Sequence, residues 1–275
     1  MSGGAALLST CPPAELAACT RLFFDVDDTL TWRGRLPEEA VRALYRAKDA
    51  GLVLVAVTGR SFAWGELLVR LFPLDAVVAE TGAQALYWQG SSLRVIFHED
   101  DDTERARLTA LRAAATARVL TDVSAARLAR DNVGRLSDTA FDLVEEGEPV
   151  SVDDAARIRA ILLDAGLALA QSSVHINAFA FGKTGPFDKA TMVDRLLQTT
   201  SSTTLAAAGS TLCYVGDSTN DGPLFRAAGL SVGVGNVATH LPLLRERGQA
   251  PRFVVDGSGG FGFAQVVNAL LEVRD

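Results

Sequence analysis

Three carboxylates follow directly on an apolar run near the start of the chain. The segment 22–30 begins Leu-Phe-Phe and continues with Asp25, Asp27 and Asp28. Neighbouring carboxylates repel one another unless a cation or a shared proton offsets their charge. Asp25 and Asp27 are two residues apart, so on an extended chain they point the same way and can face one reacting group. The spacing favours a bound metal or acid–base chemistry, and turn or capping residues after a strand are the structural alternative.

A second pair of carboxylates has an equivalent place later in the chain. Asp217 and Asp221 follow the apolar run 212–215 and stand at the start of a predicted helix. Carboxylates from two strand ends suit a hard cation such as Mg²⁺, which takes oxygen ligands and keeps several waters. Helix capping by Asp217 or Ser218 is the structural alternative. Capping alone does not explain why both acidic clusters end strands of one sheet.

Groups that could bind an anion accompany the carboxylates. Thr58, Gly59 and Arg60 end a further apolar run and offer a hydroxyl, a flexible backbone N–H and a helix N-terminus, an arrangement that binds phosphate. Lys189 opens a predicted helix and could supply the fixed positive charge that a phosphoryl group and an aspartate nucleophile both require. A lysine considered alone is more often a solvated surface residue.

The elements needed to position these groups alternate as strand and helix. The predicted strands of this pattern are residues 22–24, 52–57, 76–79, 212–215, 230–234 and 253–255. Such alternation predicts an α/β fold with a doubly wound, mostly parallel, Rossmann-like core sheet. Ligands bind at the carboxyl ends of the strands in sheets of this kind, so the acids, Thr58 and Lys189 are expected to converge there.

The middle of the chain departs from this alternation. Its predicted elements are a hairpin of strands 84–88 and 93–97, helices at 103–118 and 152–164, and strands at 141–144, 167–171 and 174–180. Residues 83–184 are therefore predicted to form an inserted α+β domain, and residues 1–82 and 185–275 the core domain. The Ser/Thr/Ala-rich stretch 199–210 is predicted to be a loop.

Composition limits the kinds of partner. Of 275 residues, 26 are Lys or Arg and 33 are Asp or Glu, which gives a formal net charge of -7. With no basic block, neither a nucleic acid nor a membrane surface has electrostatic support, and a small molecule is the default ligand. Cys11, Cys19 and Cys213 cannot all pair, which suggests a reducing compartment. Without a basic leader or a membrane-length apolar run, the protein is expected to be cytoplasmic.

Taken in order, these residues resemble the four motifs of the haloacid dehalogenase superfamily of phosphotransferases. Residues 25–29, DVDDT, are similar to the first motif, DxDxT, and Thr58 and Lys189 are similar to the second and third. Residues 216–221, GDSTND, are similar to the fourth, GDxxND. The insertion resembles the type-2 cap of the Cof-like branch, which includes sucrose-phosphate and related sugar phosphatases.

The resemblance implies a role for each matched residue. Asp25 would be the nucleophile and Asp27 the general acid/base. The implied Mg²⁺ site consists of Asp25, Asp27 through its backbone carbonyl, Asp217, and Asp221 in support. The groups implied to hold the phosphate or the nucleophile are Thr58, Lys189 and Asn220, and the anion-binding arrangement described above adds Gly59 and Arg60 as phosphate-binding candidates. The implied function is a Mg²⁺-dependent phosphatase that hydrolyses a small phosphorylated metabolite, with a sugar phosphate favoured, through an aspartyl-phosphate intermediate in a monomer or homodimer.

Two segments bear on substrate recognition. Residues 80–82, ETG, depart from the family pattern, in which Asn commonly precedes this glycine, so contacts made by that Asn do not transfer. His175 and Asn177 occupy alternate positions of a predicted strand in the insertion and could face one pocket as substrate-binding groups. Both could equally be structural polar residues whose hydrogen bonds are satisfied within the protein.

Three other interpretations compete with this one. Gly233, Gly235 and Ala238 match a GxGxxA dinucleotide fingerprint, but Pro242 would interrupt the helix that the fingerprint requires. A phospho-accepting, receiver-like switch also combines carboxylates, Thr and Lys, yet its acceptor Asp ends a later strand, where this chain has Thr58. A phosphomutase shares every core motif and differs in returning the phosphoryl group to the substrate, so only turnover measurements separate it from a phosphatase.

Overall fold

The computed structural model describes residues 5–171 and 174–274. The strands are β1 Ala6–Leu7, β2 Arg21–Phe24, β3 Val53–Val57, β4 Ala76–Ala79, β5 Gln84–Gln89, β6 Ser92–Phe97, β7 Asp138–Asp142, β8 Ala168–Gln171, β9 His175–Phe179, β10 Leu212–Gly216, β11 Leu230–Gly233 and β12 Phe253–Val254. The α-helices are α1 Pro13–Ala18, α2 Glu38–Asp49, α3 Phe62–Leu71, α4 Asp102–Asp122, α5 Val152–Asp164, α6 Lys189–Ser201, α7 Leu205–Ala208, α8 Gly222–Ala227, α9 Leu241–Glu246 and α10 Gly259–Glu272. None of these helices is long and apolar enough to cross a bilayer.

The main sheet has the strand order β1-β12-β11-β10-β2-β3-β4-β5-β6. Pairing is parallel from β1 to β4, and β5 and β6 add an antiparallel edge. Chain order reverses beside β2, which lies between β10 and β3, so the loops after these three strands leave the same edge of the sheet. The prediction of a doubly wound, mostly parallel α/β core is confirmed.

Continuous apolar runs form these strands because both faces of the sheet are covered. In β2, Leu22 and Phe24 pack into a core cluster on one face, and Phe23 packs into a second cluster on the other. Helices α2, α3 and α10 cover the first face, and α6 and α8 cover the second. Two layers of helix thus fix the position of the strand ends that carry the acids.

A second, antiparallel sheet lies within the predicted insertion. Its order is β7-β9-β8, and it packs with α4 and α5 around a separate apolar cluster that includes Val119, Phe141 and Ile158. The strand predicted at 141–144 begins earlier, at Asp138, because the pairing partner of that residue is Phe179 at the end of β9. We call this unit the cap.

The hairpin of β5 and β6 belongs to the main sheet and not to the cap, so the predicted domain boundary at residue 83 is wrong at this point. Residues of β5 pair with β4, as in Ala85 with Val78. Alternation along β5 places Leu86 in one core cluster and Ala85 in the other. An antiparallel hairpin can extend a parallel sheet at its edge, and the local pattern does not reveal which sheet it will join.

The stretch predicted as a loop at 199–210 is largely helical. Helix α6 continues to Ser201, and α7 begins after Thr204, whose hydroxyl accepts a hydrogen bond from the Ala207 N–H. Leu205 and Ala208 are buried in the core cluster beside α6. Burial of Leu205 and Ala208 stabilises a helix that the local composition did not indicate.

Candidate active site

A small cavity opens at the carboxyl edge of the main sheet, between the core and the cap. Its lining residues are Asp25, Asp27, Gly59, Thr81, Ala170, His175, Asn177, Asp217, Ser218, Asn220 and His240. The loops after β2, β3 and β10 supply the acids and Gly59, whereas β9 supplies His175 and Asn177 from the cap. Residues that lie far apart in the sequence therefore meet in one place.

The buried acid cluster at this cavity consists of Asp25, Asp217 and Asp221. Oxygen atoms of the three carboxylates lie within 4.8 Å of one another. Lys189 is fully buried beside them, and its Nζ donates to Asp25 Oδ1 and Asp221 Oδ1, each at 2.7 Å, and to Asn220 Oδ1 at 3.1 Å. The structure brings together the lysine and the acids that the sequence analysis singled out.

Lys189 reaches the cluster because the backbone before it packs closely against another loop. Gly82 has a φ of 106°, and a Cβ built on it would lie 2.2 Å from the carbonyl oxygen of Asp188. No other residue type fits both conditions. Asp188 then caps α6 by accepting from the Thr191 N–H at 2.7 Å. The close approach at Gly82 thus sets where α6 begins and where its first side chain lies.

Electrostatics at the acid cluster favour a bound cation. Burial raises the pKa of Asp25 to about 8, with Asp221 and Asp27 adding to the rise and Lys189 opposing it. Burial also raises the pKa of Asp217 well above its ordinary range. Burial acts to lower the pKa of Lys189, but Asp221 and Asp25 hold it above its usual value. One lysine does not offset three carboxylates, and a divalent ion would.

The three acids are not equivalent. Asp221 accepts from Lys189 Nζ, from the Tyr214 hydroxyl at 2.6 Å, and from the N–H groups of Asp217 and Ser218 at 3.0 Å each. A Cβ on Gly216 would lie 2.7 Å from the Asp221 carboxylate, so glycine is required there for the loop to close. With both oxygens occupied, Asp221 fits the role of anchoring the loop and Lys189 better than that of a direct metal ligand.

Among the described residues, Asp217, in contrast, is held only by neutral donors. Thr29 Oγ1 donates to its Oδ1 at 3.2 Å, and Asn236 Nδ2 donates to its Oδ2 at 2.9 Å. No cationic side chain contacts this carboxylate within the described residues. Buried carboxylates with lone pairs left over are the oxygen ligands that Mg²⁺ prefers. Asp25 and Asp217 therefore fit the implied metal.

The side chain of Arg60, which was predicted to bind phosphate, does not line this cavity. Its Nε donates to the Asp27 carboxylate at 2.9 and 3.0 Å, and its Nη2 donates to Asp27 Oδ1 and to Glu145 Oε1, each at 2.8 Å. Glu145 Oε2 in turn lies 2.7 Å from His175 Nε2. The side chain predicted to bind phosphate is thus engaged by two carboxylates, one from the core and one from the cap. Glu145 was not singled out in the sequence, because the turn that carries it approaches Arg60 only after the cap has folded.

The rest of the β3 loop contributes backbone rather than side chains to the cavity. Thr58 is fully buried, and its hydroxyl accepts from the Arg60 N–H at 3.0 Å, so Gly59 and not Thr58 is exposed to the cavity. The Gly59 carbonyl accepts from Arg135 Nη1 at 3.0 Å and Asn177 Nδ2 at 3.3 Å. Two cap side chains therefore hydrogen-bond to the loop that was predicted to bind phosphate.

Glu80, which precedes the departure from the family pattern at Thr81, connects the cap to the core. Its buried carboxylate accepts four backbone hydrogen bonds, from Phe62 at 2.9 Å, Leu136 at 2.9 Å, Ser137 at 2.6 Å and Asp138 at 3.0 Å. Burial and then the nearby Asp138 raise the pKa of Glu80 to about 7, and the backbone hydrogen bonds act to lower it. Thr81 beside it lines the cavity in a left-handed conformation with φ 59°.

The cavity wall opposite the acids is polar. His175 and Asn177 both line it from β9, as their alternate spacing predicts, and Asn177 also donates to Asp138 Oδ2 at 2.8 Å. His240, at the start of α9, lines the same cavity and was not singled out in the sequence. A lone histidine after a glycine-rich loop carries no local signal, so only the fold identifies it.

Comparison with known proteins finds similarity to hydrolases. Residues 22–106 match the family model of the haloacid dehalogenase-like hydrolases. The chain is 29% identical over 259 residues to the phosphoglycolate phosphatase of Pyrobaculum aerophilum, a match that covers 92% of this chain and 96% of that relative. The matched segment of the family model contains Asp25, Asp27 and Thr58.

Solved structures share the fold across both units. A Thermoplasma acidophilum protein superposes with a TM-score of 0.68 at 20% identity, covering 93% of this chain and 99% of that one. The sucrose-phosphatase of Synechocystis sp. PCC6803 gives a TM-score of 0.56 at 17% identity, with 91% and 97% covered. The matched segment carries the residues of the first two motifs, and the similarity to the phosphoglycolate phosphatase extends over most of the chain, so this protein resembles the haloacid dehalogenase-like hydrolases in sequence as well as in fold.

Proposed function

We propose that this protein is a Mg²⁺-dependent phosphatase that hydrolyses a small phosphate monoester through an aspartyl-phosphate formed on Asp25. The observation that carries the proposal is the buried contact of 2.7 Å between Asp25 and Lys189, beside Asp217 and at the wall of the cavity. A carboxylate so placed is oriented and partly neutralised, while its second oxygen, which accepts no hydrogen bond from the described residues, could attack. The match of residues 22–106 to a family model of hydrolases favours an enzyme over the receiver-like switch.

The first half-reaction transfers the phosphoryl group to the protein. One oxygen of Asp25 attacks phosphorus while the bond from phosphorus to the leaving oxygen breaks, and Asp27 gives that oxygen a proton. Lys189 holds Asp25 in place and reduces the repulsion between an anionic nucleophile and an anionic substrate. Asp25, Asp217 and the Asp27 carbonyl would hold Mg²⁺, which supplies further positive charge against the phosphoryl oxygens.

The second half-reaction releases phosphate. Asp27 takes a proton from water, the water oxygen attacks phosphorus, and the bond between phosphorus and Asp25 breaks to restore the carboxylate. Asp27 is then protonated again and ready for the next leaving group. Arg60 contacts the Asp27 carboxylate through two nitrogens, which fixes its position at the cavity wall.

The substrate proposed from the sequence is a sugar phosphate. In support, His175, Asn177 and His240 give the cavity polar groups that hydroxyls could contact. The cavity lies between core and cap and is small, which favours a small substrate. The phosphoglycolate phosphatase of Pyrobaculum aerophilum makes 2-phosphoglycolate a second candidate, since that relative matches 92% of this chain.

A phosphate-release screen tests the proposal. Purified protein would be incubated with hexose phosphates, with triose phosphates and with 2-phosphoglycolate, in Mg²⁺ and in excess EDTA, without a bisphosphate activator. We expect Mg²⁺-dependent release of inorganic phosphate and its loss in Asp25→Asn. The matched control is Asp49→Asn, at an exposed helix end away from the cavity. Full activity in EDTA would show that the reaction needs no metal. Near-normal turnover by Asp25→Asn would show that Asp25 is not the nucleophile. Isomerisation of the substrate without phosphate release would favour a phosphomutase.

A further inference from the structure

The glycine-rich segment 233–238, which matches the dinucleotide fingerprint, has a different task in the structure. It follows β11, but it continues as a short 3-10 turn, Gly235–Thr239, and not as the long helix that a dinucleotide site needs. A Cβ on Gly235 would lie 2.5 Å from the Asp256 carbonyl oxygen, and the Gly235 N–H donates to the Gly257 carbonyl at 2.7 Å. The glycine allows this loop to pack tightly and carries the next residue, Asn236, to the acid cluster.

Asn236 joins three loops at the carboxyl edge of the sheet. Its Nδ2 donates to Asp217 Oδ2 and to the Asp28 carbonyl, each at 2.9 Å. Its Oδ1 accepts from the Gly259 N–H at 2.9 Å. Both amide hydrogens and the amide oxygen therefore have partners, so the side chain is fixed in one orientation.

Asp217 depends on this contact for its own orientation. The Asn236 bond of 2.9 Å is shorter than the only other side-chain contact to that carboxylate in the described residues, 3.2 Å from Thr29. Neutral donors orient a carboxylate without neutralising it, which leaves its charge for a cation. Groups that orient a metal ligand in this way typically change metal affinity by roughly 10- to 100-fold when they are removed.

We propose that Asn236 is a positioning residue for divalent-metal binding, acting through Asp217. The inference rests on the proposed function, since it presupposes a metal at Asp25 and Asp217. Asn236 also ties the metal-binding carboxylate to the loop that follows Asp27, through the Asp28 carbonyl, so one side chain sets the relative positions of two elements of the metal site.

Calorimetric titration of the substrate-free protein with Mg²⁺ tests the proposal. We expect Asn236→Ala to weaken Mg²⁺ binding by roughly 10- to 100-fold. Asn268→Ala is the matched control, because Asn268 is exposed on α10 and contacts Arg46 away from the site. Asn236→Ser, which keeps a small polar side chain, is the second variant should Asn236→Ala fail to fold.

Two further readouts separate positioning from a general structural role. Melting curves in EDTA should differ little between wild type and Asn236→Ser, and kcat should recover at saturating Mg²⁺. Unchanged Mg²⁺ affinity in a folded Asn236 variant, while the wild type binds Mg²⁺, would overturn this inference and leave the proposed function standing. If the wild-type protein binds no Mg²⁺, the proposed Mg²⁺ dependence is wrong, and this inference is wrong as well.

Discussion

At the scale of single residues, Lys189 is the group on which the acid cluster depends most. It is fully buried and lies 2.7 Å from two carboxylates, so it both orients Asp25 and offsets its charge. A fully buried charge is stable only when it is paired, and removal of one partner leaves the others uncompensated.

We therefore expect Lys189→Met to lower the free energy of unfolding by about 3–5 kcal/mol at pH 7 in EDTA. The loss should become smaller at acidic pH, because protonation of the unpaired acids removes their uncompensated charge. Urea denaturation at several pH values measures this, with Lys48→Met, a half-exposed pair with Asp75, as control. Equal stability of Lys189→Met and wild type would show that the buried pairs contribute nothing.

At the scale of elements, the joint between cap and core decides the form of the cavity. Glu80 binds the backbone of residues 136–138, and Arg60 links Asp27 of the core to Glu145 of the cap. Glu80 is next to Thr81, which lines the cavity, and Arg60 binds Asp27, the candidate general acid/base. Movement of the cap must therefore change the surroundings of Asp27.

Glu145→Gln tests the contribution of the second contact. The hydrogen bond with His175, and then the charge of Arg60, hold the pKa of Glu145 at about 2, below its ordinary 4.5. A carboxyl group whose pKa is lower in the folded than in the unfolded protein stabilises the folded state at pH values above its unfolded pKa. This stabilisation is lost as the pH falls towards 2. We expect the variant to be less stable by about 1 kcal/mol at pH 7, since the pair is only partly buried.

The difference between wild type and Glu145→Gln should shrink steadily between pH 4.5 and 3. Denaturation midpoints over this range measure it, and hydrogen exchange at residues 136–138 reports whether the cap loosens. Glu148→Gln, in the same exposed turn, serves as the comparison variant. A difference that stays constant with pH would show that the Glu145 carboxylate does not stabilise the joint through its charge.

At the scale of the whole molecule, folding and metal binding should be linked. The acid cluster draws on loops after β2 and β10 and on α6, which come together only in the folded core. Because unfolding separates these groups, an ion that binds them must stabilise the folded state by mass action.

We expect Mg²⁺ at about 100 times its Kd to stabilise the protein by about 2.7 kcal/mol. For a chain of this size, that corresponds to a rise in Tm of roughly 5–10 °C. Differential scanning fluorimetry with Mg²⁺ and then EDTA measures the shift, and Asp217→Asn should lose it while Asp49→Asn keeps it. The same shift in Asp217→Asn would place the ion elsewhere.

Much of the fold was predictable because strands that are buried on both faces need continuous apolar runs, which are visible in the sequence. Apolar runs that end in polar groups predicted β2, β3 and β10, and parallel connectivity required their ends to share one edge. The hairpin 84–97 and the segment 199–210 were misassigned because their partners lie outside the local pattern. A strand shows its hydrophobic face in sequence but not the sheet that it will join.

The sequence by itself determined which groups could do chemistry: Asp25, Asp217 and Lys189 are specified by type, order and the strands and helix that carry them. Only the tertiary structure decided how each is used. It turned Arg60 towards Asp27 and Glu145, saturated Asp221 with donors, and brought Asn236 to Asp217. The physical reason is that a side chain's hydrogen bonds depend on distances of a few ångströms between loops, which the packing of sheet, helices and cap sets and local sequence does not.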